Sequence, residues 1–97
     1  MSKKRGRLQI IYDILQAVRA KGGTIKPTHL LYKSNLSHQM MGEYLKELMG
    51  KNFIKEEVGP KGKSKVYVLA PKGYDYLTEY KTVTRFVESF GLEDEEV

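Results

Sequence analysis

The sequence predicts an α+β fold, mainly helical, in the order of three helices, a β-hairpin and a final helix. Three observations carry this. Apolar residues recur at steps of three and four through residues 8–20, 37–51 and 71–90. Two short stretches, "FIKEEV" and "KVYVLA", flank "GPKGKS", whose two glycines and proline suit a hairpin loop. At 97 residues and 40% hydrophobic, the chain can build one modest core, the scale of a single small domain.

The first helix spans residues 8–20. Leu8, Ile11, Leu15 and Val18 form its inward row, and Ile10, Ile14 and Ala17 widen it. Lys21-Gly22-Gly23 ends it, since glycine takes the left-handed terminal conformation at little cost. "TIKPTHLLYK" follows as a short second helix. Pro27 suits its first turn, where the missing N–H has no intrahelical partner to lose.

The third helix covers residues 37–51. Ser37 is its N-cap, able to accept from a first-turn backbone N–H. Leu36 and Met41 stand at the N′ and N4 positions of a hydrophobic staple. Met41, Leu45 and Leu48 form the inward row, flanked by Met40, Tyr44 and Met49. Asn52 falls at the exit, where positive φ is often required and asparagine tolerates it.

In the hairpin, Tyr67 and Leu69 share one face and Val66 and Val68 the other. The last helix opens at Pro71 or Lys72 and runs to about Phe90, and the polar tail "LEDEEV" is expected to be disordered. Three helices followed by a β-hairpin wing make the winged helix-turn-helix arrangement, here with a C-terminal dimerisation helix. The expected divisions are 1–72 for the winged domain with a basic arm, 73–91 for a coiled-coil-like dimerisation helix, and 92–97 for an acidic tail.

Composition excludes several function classes. With no cysteine there is no disulfide, thiol nucleophile or cysteine-ligated zinc. His29 and His38 are too few for a metal site without carboxylates, so no metal or other cofactor is expected. Asp13, Asp75 and Glu79 are scattered, and Ser34, Ser37, His29 and His38 cluster only locally. "GPKGKS" lacks the length and following helix of a phosphate-binding loop. No enzyme is expected. No apolar run reaches the roughly 20 residues of a membrane span, and "MSKKRGRLQII" continues into periodic sequence instead of a signal core. A cytoplasmic location is expected.

Net charge is +5, and its distribution is uneven. Lys3, Lys4, Arg5 and Arg7 make the first seven residues +4, whereas Glu88, Glu93, Asp94, Glu95 and Glu96 make residues 88–97 −5. The acidic end therefore masks a basic arm and body. Such a field favours a polyanion, with nucleic acid ahead of a membrane surface because no strongly amphipathic basic helix is present. A merely solvated basic surface accounts for the charge equally well.

In a helix-turn-helix, the second helix of the motif enters the major groove by its N-terminal end. Here its outward residues are Ser37, His38, Gln39, Gly42, Glu43 and Lys46. Gln39 can pair with an adenine edge, and His38 and Lys46 with guanine acceptors or phosphates. Gly42 costs about 1 kcal/mol of helix propensity. Either the backbone there must approach another surface closely, or helix 2 packs against it. Glu43 opposes phosphate attraction and is expected to pair with Lys46, three residues on. Lys61, Lys63 and Lys65 at the wing, Lys33, and the arm residues Lys3, Lys4 and Arg5 are candidate phosphate or minor-groove contacts. Lysines also protect exposed hairpins from edge pairing, and the arm reads equally as a solubilising terminus.

Tyr76, Tyr80, Val83, Val87 and Phe90 are spaced 4, 3, 4, 3, a heptad seam. They are the candidate dimer interface, with Tyr74 and Leu77 off the seam and packing back on the domain. A monomer with the whole helix folded onto its own domain is the alternative.

"KKRGRLQIIYDIL" at the first helix, "LLYKSNLS" before the reading helix, "YLKELM" within it and "YVLAPKGYDYL" at the hairpin-to-helix junction together resemble one known family. This is the archaeal winged-helix group of crenarchaeal 10a-type nucleoid proteins. The resemblance implies double-stranded DNA binding with weak sequence preference, and a homodimer joined through antiparallel C-terminal helices. This chain departs from the group in a shorter final helix with an acidic tail, and in a longer, more basic wing. The expected function is a dimeric DNA-binding protein, nucleoid-associated or transcription-regulating, with no small-molecule ligand. The rival is a winged-helix protein-interaction module that uses the aromatic seam without DNA.

Overall fold

The structure, a computed structural model, describes residues 5–62 and 64–92. In chain order these form α1 (Arg7–Ala20), β1 (Thr24–Ile25), α2 (Pro27–Ser34), α3 (His38–Gly50), β2 (Ile54–Val58), β3 (Lys65–Leu69) and α4 (Pro71–Ser89). This is the expected winged-helix architecture. Lys3, Lys4, Lys63 and residues 93–97 of the acidic tail lie outside the described residues.

Three of the four helices stop in one way, and the sequence supplies the residue for it each time. α1 exits through Gly22 (φ 83), with Gly22 and Gly23 N–H groups donating to the Arg19 and Val18 carbonyls. α3 exits through Asn52 (φ 65), with Asn52 and Phe53 donating to Met49 and Leu48. α4 exits through Gly91 (φ 68), with Gly91 and Leu92 donating to Glu88 and Val87. Each pairs carbonyls that would otherwise lack partners, using a left-handed residue that only glycine or asparagine takes cheaply. Pro27 and Pro71 open α2 and α4 at the first turn.

One element differs from the sequence reading. Thr24–Ile25, expected as the opening residues of the second helix, is instead a strand, and α2 starts only at Pro27. The sheet order is β1-β3-β2, with Thr24 opposite Val68 and Ile25 opposite Tyr67. β3 is therefore central, flanked antiparallel on both sides, and Val66, Tyr67 and Leu69 are all buried. β2 is an edge and buries only Ile54, leaving Lys55, Glu56 and Glu57 to solvent, which suits a strand that must not recruit another.

The core gathers Ile14, Leu15 and Val18 of α1, Leu30 of α2, Leu48 of α3, Ile54 of β2 and Leu77 of α4. Each such side chain contributes about 1.5–3 kcal/mol on burial. α4 enters this core closely at Gly73, where a Cβ would lie 2.5 Å from both the Phe53 carbonyl and Leu69 Cδ1. Farther along, Tyr80 stacks on Tyr12 of α1 (4.7 Å between centroids) and on Tyr76 (5.9 Å). Phe53 meets the edge of Tyr76 at 5.5 Å. These contacts fasten the first half of α4 to α1 and to the turn that leaves α3.

Candidate nucleic-acid interface

The helix-turn-helix is built by two local devices. Asn35 ends α2 in the left-handed region (φ 54, ψ 46), which turns the chain sharply toward α3. Ser37 then caps α3, its Oγ accepting from the Met40 N–H at 3.1 Å, as its place in the sequence predicts. Leu36 packs partly buried against the core that contains Met41.

α3 has two opposite stripes. Met41, Leu45 and Leu48 are buried, and Gln39, Glu43 and Lys46 each precede one of them by two residues and are exposed. Two residues are about 200° of helix rotation, so the second stripe points away from the core. His38 and Gly42 are exposed beside it. A Cβ on Gly42 would meet nothing within 4 Å. The absent side chain is thus not required by packing of α2, and of the two readings of Gly42 the internal one is set aside.

The expected Glu43–Lys46 pair does not form. Among the described residues the acidic partner of choice on α3 is Glu47, which binds Arg7 at the start of α1 and Lys51 one turn on (2.7 Å). The hydrogen bonds from Arg7 and Lys51 hold the Glu47 carboxyl down at about 2. Arg7, Met40, Glu43, Tyr44 and Glu47 line an open groove of about 240 Å³ along this flank. The Arg7–Glu47 contact was not legible in sequence, because its partners lie 40 residues apart.

Arg5, a candidate arm contact, is committed to the fold. Its guanidinium donates to Asp13 Oδ2 at 2.8 Å and to the carbonyls of Ser34 (3.1 Å) and Asn35 (3.3 Å), so it closes the end of α2. Lys33 is exposed in the last turn of α2. At the wing, Lys61 and Lys65 are exposed, with Lys65 3.8 Å from Glu56 and over the Tyr67 ring. Gly62 (φ 69) turns the loop, and its N–H donates to the Gly59 carbonyl at 2.9 Å.

The seam residues divide. Tyr76 and Tyr80 face α1 of the same chain, their hydroxyls donating to the Leu8 carbonyl (2.6 Å) and to Gln9 Oε1 (2.9 Å). Burial pushes both phenols above their ordinary range. Val87 is also buried. Val83 and Phe90 are exposed, and Phe86, which the heptad spacing passed over, is exposed with them. Leu77 packs into the core as expected, while Tyr74 is exposed. No helix among the described residues is long and apolar enough to cross a membrane.

Against known proteins, a family model described as winged helix-turn-helix matches residues 4–88. An uncharacterised protein of Methanocaldococcus jannaschii is 34% identical over 86 residues, covering 89% of this chain; the chain spans 37% of that relative's length. Sso10a-2, a DNA-binding protein from Sulfolobus solfataricus, superposes with a TM-score of 0.75 at 20% identity, covering 89% of this chain and 85% of its own. It is of the 10a type to which the sequence is similar. A winged-helix DNA-binding protein from STIV superposes at 0.66 with 20% identity, covering 76% and 85%. Bordetella bronchiseptica BpsR, whose DNA binding is regulated by 6-hydroxynicotinic acid, superposes at 0.69 with 11% identity, covering 90% and 66%.

Proposed function

The chain belongs to the winged helix-turn-helix family, and we propose that it is a dimeric, double-stranded DNA-binding protein, nucleoid-associated or transcription-regulating. The observation that carries this reading is the outward stripe of α3. A capped helix presents His38, Gln39, Gly42, Glu43 and Lys46 to solvent, and no core contact accounts for them. The description of Sso10a-2 as DNA-binding supports it.

In this mechanism α3 enters the major groove, and the Cβ-free surface at Gly42 lets the helix backbone lie close to the duplex. Lys33, Lys61 and Lys65, with Lys3, Lys4 and Lys63, bind phosphates and fix the register without reading sequence. Arg5 acts from inside the fold by holding the turn that aims α3. The winged domain 1–72 makes the DNA contacts, and α4 pairs two copies through Val83, Phe86 and Phe90. Phosphate contacts supply most of the affinity, so sequence preference is weak overall.

The test is a salt titration on random duplex. If about 4 of these lysines in each subunit neutralise a phosphate at once, the slope of log affinity against log salt is near −7 for the dimer. A slope near zero would overturn the reading. A protein-interaction module is the second reading, favoured by the exposed apolar stripe of α4. Duplex binding that vanishes when Lys61, Lys63 and Lys65 become Glu separates DNA binding from it.

A further inference from the structure

Glu43 is the residue that a phosphate-binding surface least accommodates, and its place on α3 is central. It stands between Gln39 and Lys46 in the stripe opposite the buried row. It forms no ion pair with Lys46, so its charge is not cancelled by the neighbour that the sequence offers. Glu47, four residues on, already holds Arg7 and Lys51 and faces the flank.

Resting on the DNA-binding reading above, we propose that Glu43 is a specificity-determining residue that selects a cytosine in the major groove. An ionised carboxylate only accepts hydrogen bonds. Along a duplex it meets phosphate oxygens, guanine O6 and N7, and thymine O4, all of which are acceptors and repel it. Adenine offers an amino group beside its N7 acceptor. Cytosine offers the N4 amino group and has no acceptor of its own in that groove, so it is the base a carboxylate takes. Lys46 lies about 4.5 Å farther along the helix axis, close to one base-pair rise, which suits the O6 and N7 of a guanine at the same or the next pair. Glu43 thus lowers affinity for most sequences while leaving one C·G pair favoured. Discrimination here comes from what the side chain repels as much as from what it binds.

The experiment is selection from a randomised duplex pool with the parent, Glu43→Gln and Glu43→Ala, followed by anisotropy titrations of each on the selected and a random duplex at one salt concentration. The parent is expected to enrich a C·G pair and to prefer it about tenfold over the other pairs. Glu43→Ala should bind random duplex several-fold tighter and lose the preference. Glu43→Gln should also bind random duplex tighter and move the preference to A·T, since an amide pairs with the adenine edge. Thermal melts confirm that both variants fold, as an exposed position predicts. No enriched pair in the parent, or an enrichment that survives both substitutions, would overturn the proposal while the DNA-binding reading stands. A parent that binds no duplex would overturn that reading, and the proposal with it.

Discussion

Arg5 and Asp13 meet at 2.8 Å, and through this contact the turn between α2 and α3 is fastened to α1. The same guanidinium donates to the Ser34 and Asn35 carbonyls, at the end of α2. Behind Asp13 the chain of contacts continues through Gln9 (2.8 Å) to Tyr80 of α4 (2.9 Å). Arg5→Lys keeps the charge but not the planar fork. It is expected to cost about 1 kcal/mol and to weaken duplex binding nearly as much as Arg5→Ala. Melting curves and anisotropy on both variants check this. A lysine variant that binds like the parent would mean that Arg5 acts as a charge on phosphate and not as the brace of the turn.

The second ion pair gives a pH signature. Glu47 is held at about 2 by Arg7 and Lys51, below its ordinary 4.5. A carboxyl depressed in the folded state contributes stability that is complete above its unfolded value. That contribution drains away as pH falls from about 4.5 through about 2. Both cationic partners are solvent-exposed, so screening keeps the contribution small. Glu47→Gln should melt lower than the parent at pH 6 and match it near pH 2. Equal melting temperatures at pH 6 would show the pair to be energetically idle.

Local signals wrote most of this fold into the sequence, and non-local contacts account for what was not legible. Pro27, Ser37, Asn52, Pro71 and the Gly22-Gly23 pair act within one helical turn of their own positions, so each boundary could be read where it stands. β1 could not. Thr24 and Ile25 become a strand only because Val68 and Tyr67 arrive beside them from far along the chain. The heptad spacing of α4 likewise gives a stripe without saying what covers it. The hydroxyls of Tyr76 and Tyr80 are satisfied by Leu8 and Gln9, so their aromatic rings belong to the chain's own core. The outward stripe of α3 was legible as a face. Loss of the expected Glu43–Lys46 pair was not, because spacing permits that pair without requiring it.

Gly42 separates stability from binding. With nothing within 4 Å of a would-be Cβ, Gly42→Ala meets no clash and gains helix propensity. The variant should be more stable by about 1 kcal/mol, a rise of about 4–8 °C in melting temperature for a domain of this size. Its duplex affinity should fall, because the added methyl group keeps the α3 backbone off the groove floor. A variant that is both more stable and equally tight would remove close backbone approach from the mechanism.

Gly73 behaves in the opposite way. Its Cβ would sit 2.5 Å from the Phe53 carbonyl, which also accepts from the Ala70 N–H at 3.0 Å. Backbone on that side cannot rotate away as a side chain can. Gly73→Ala should cost about 1–3 kcal/mol, read as an earlier denaturation midpoint with an unchanged slope. A neutral result would mean that α4 can slide on the Phe53 turn.

The dimer prediction rests on how α4 divides. Tyr80 is buried against Tyr12, whereas Phe86 and Phe90 are 57% and 67% exposed and their rings lie 4.9 Å apart. Two exposed phenylalanines beside Val83 form an apolar stripe that a second copy can cover by the same stripe, the self-complementary contact of a two-fold dimer. Phe86→Lys together with Phe90→Lys should leave the melting curve of the winged domain nearly intact and reduce the sedimenting species to a single chain. Tyr80→Lys should do the reverse, unfolding the domain because it buries a charge against α1. If the double lysine variant sediments as the parent does, the copies meet elsewhere or not at all. The apolar stripe would then belong to a different partner.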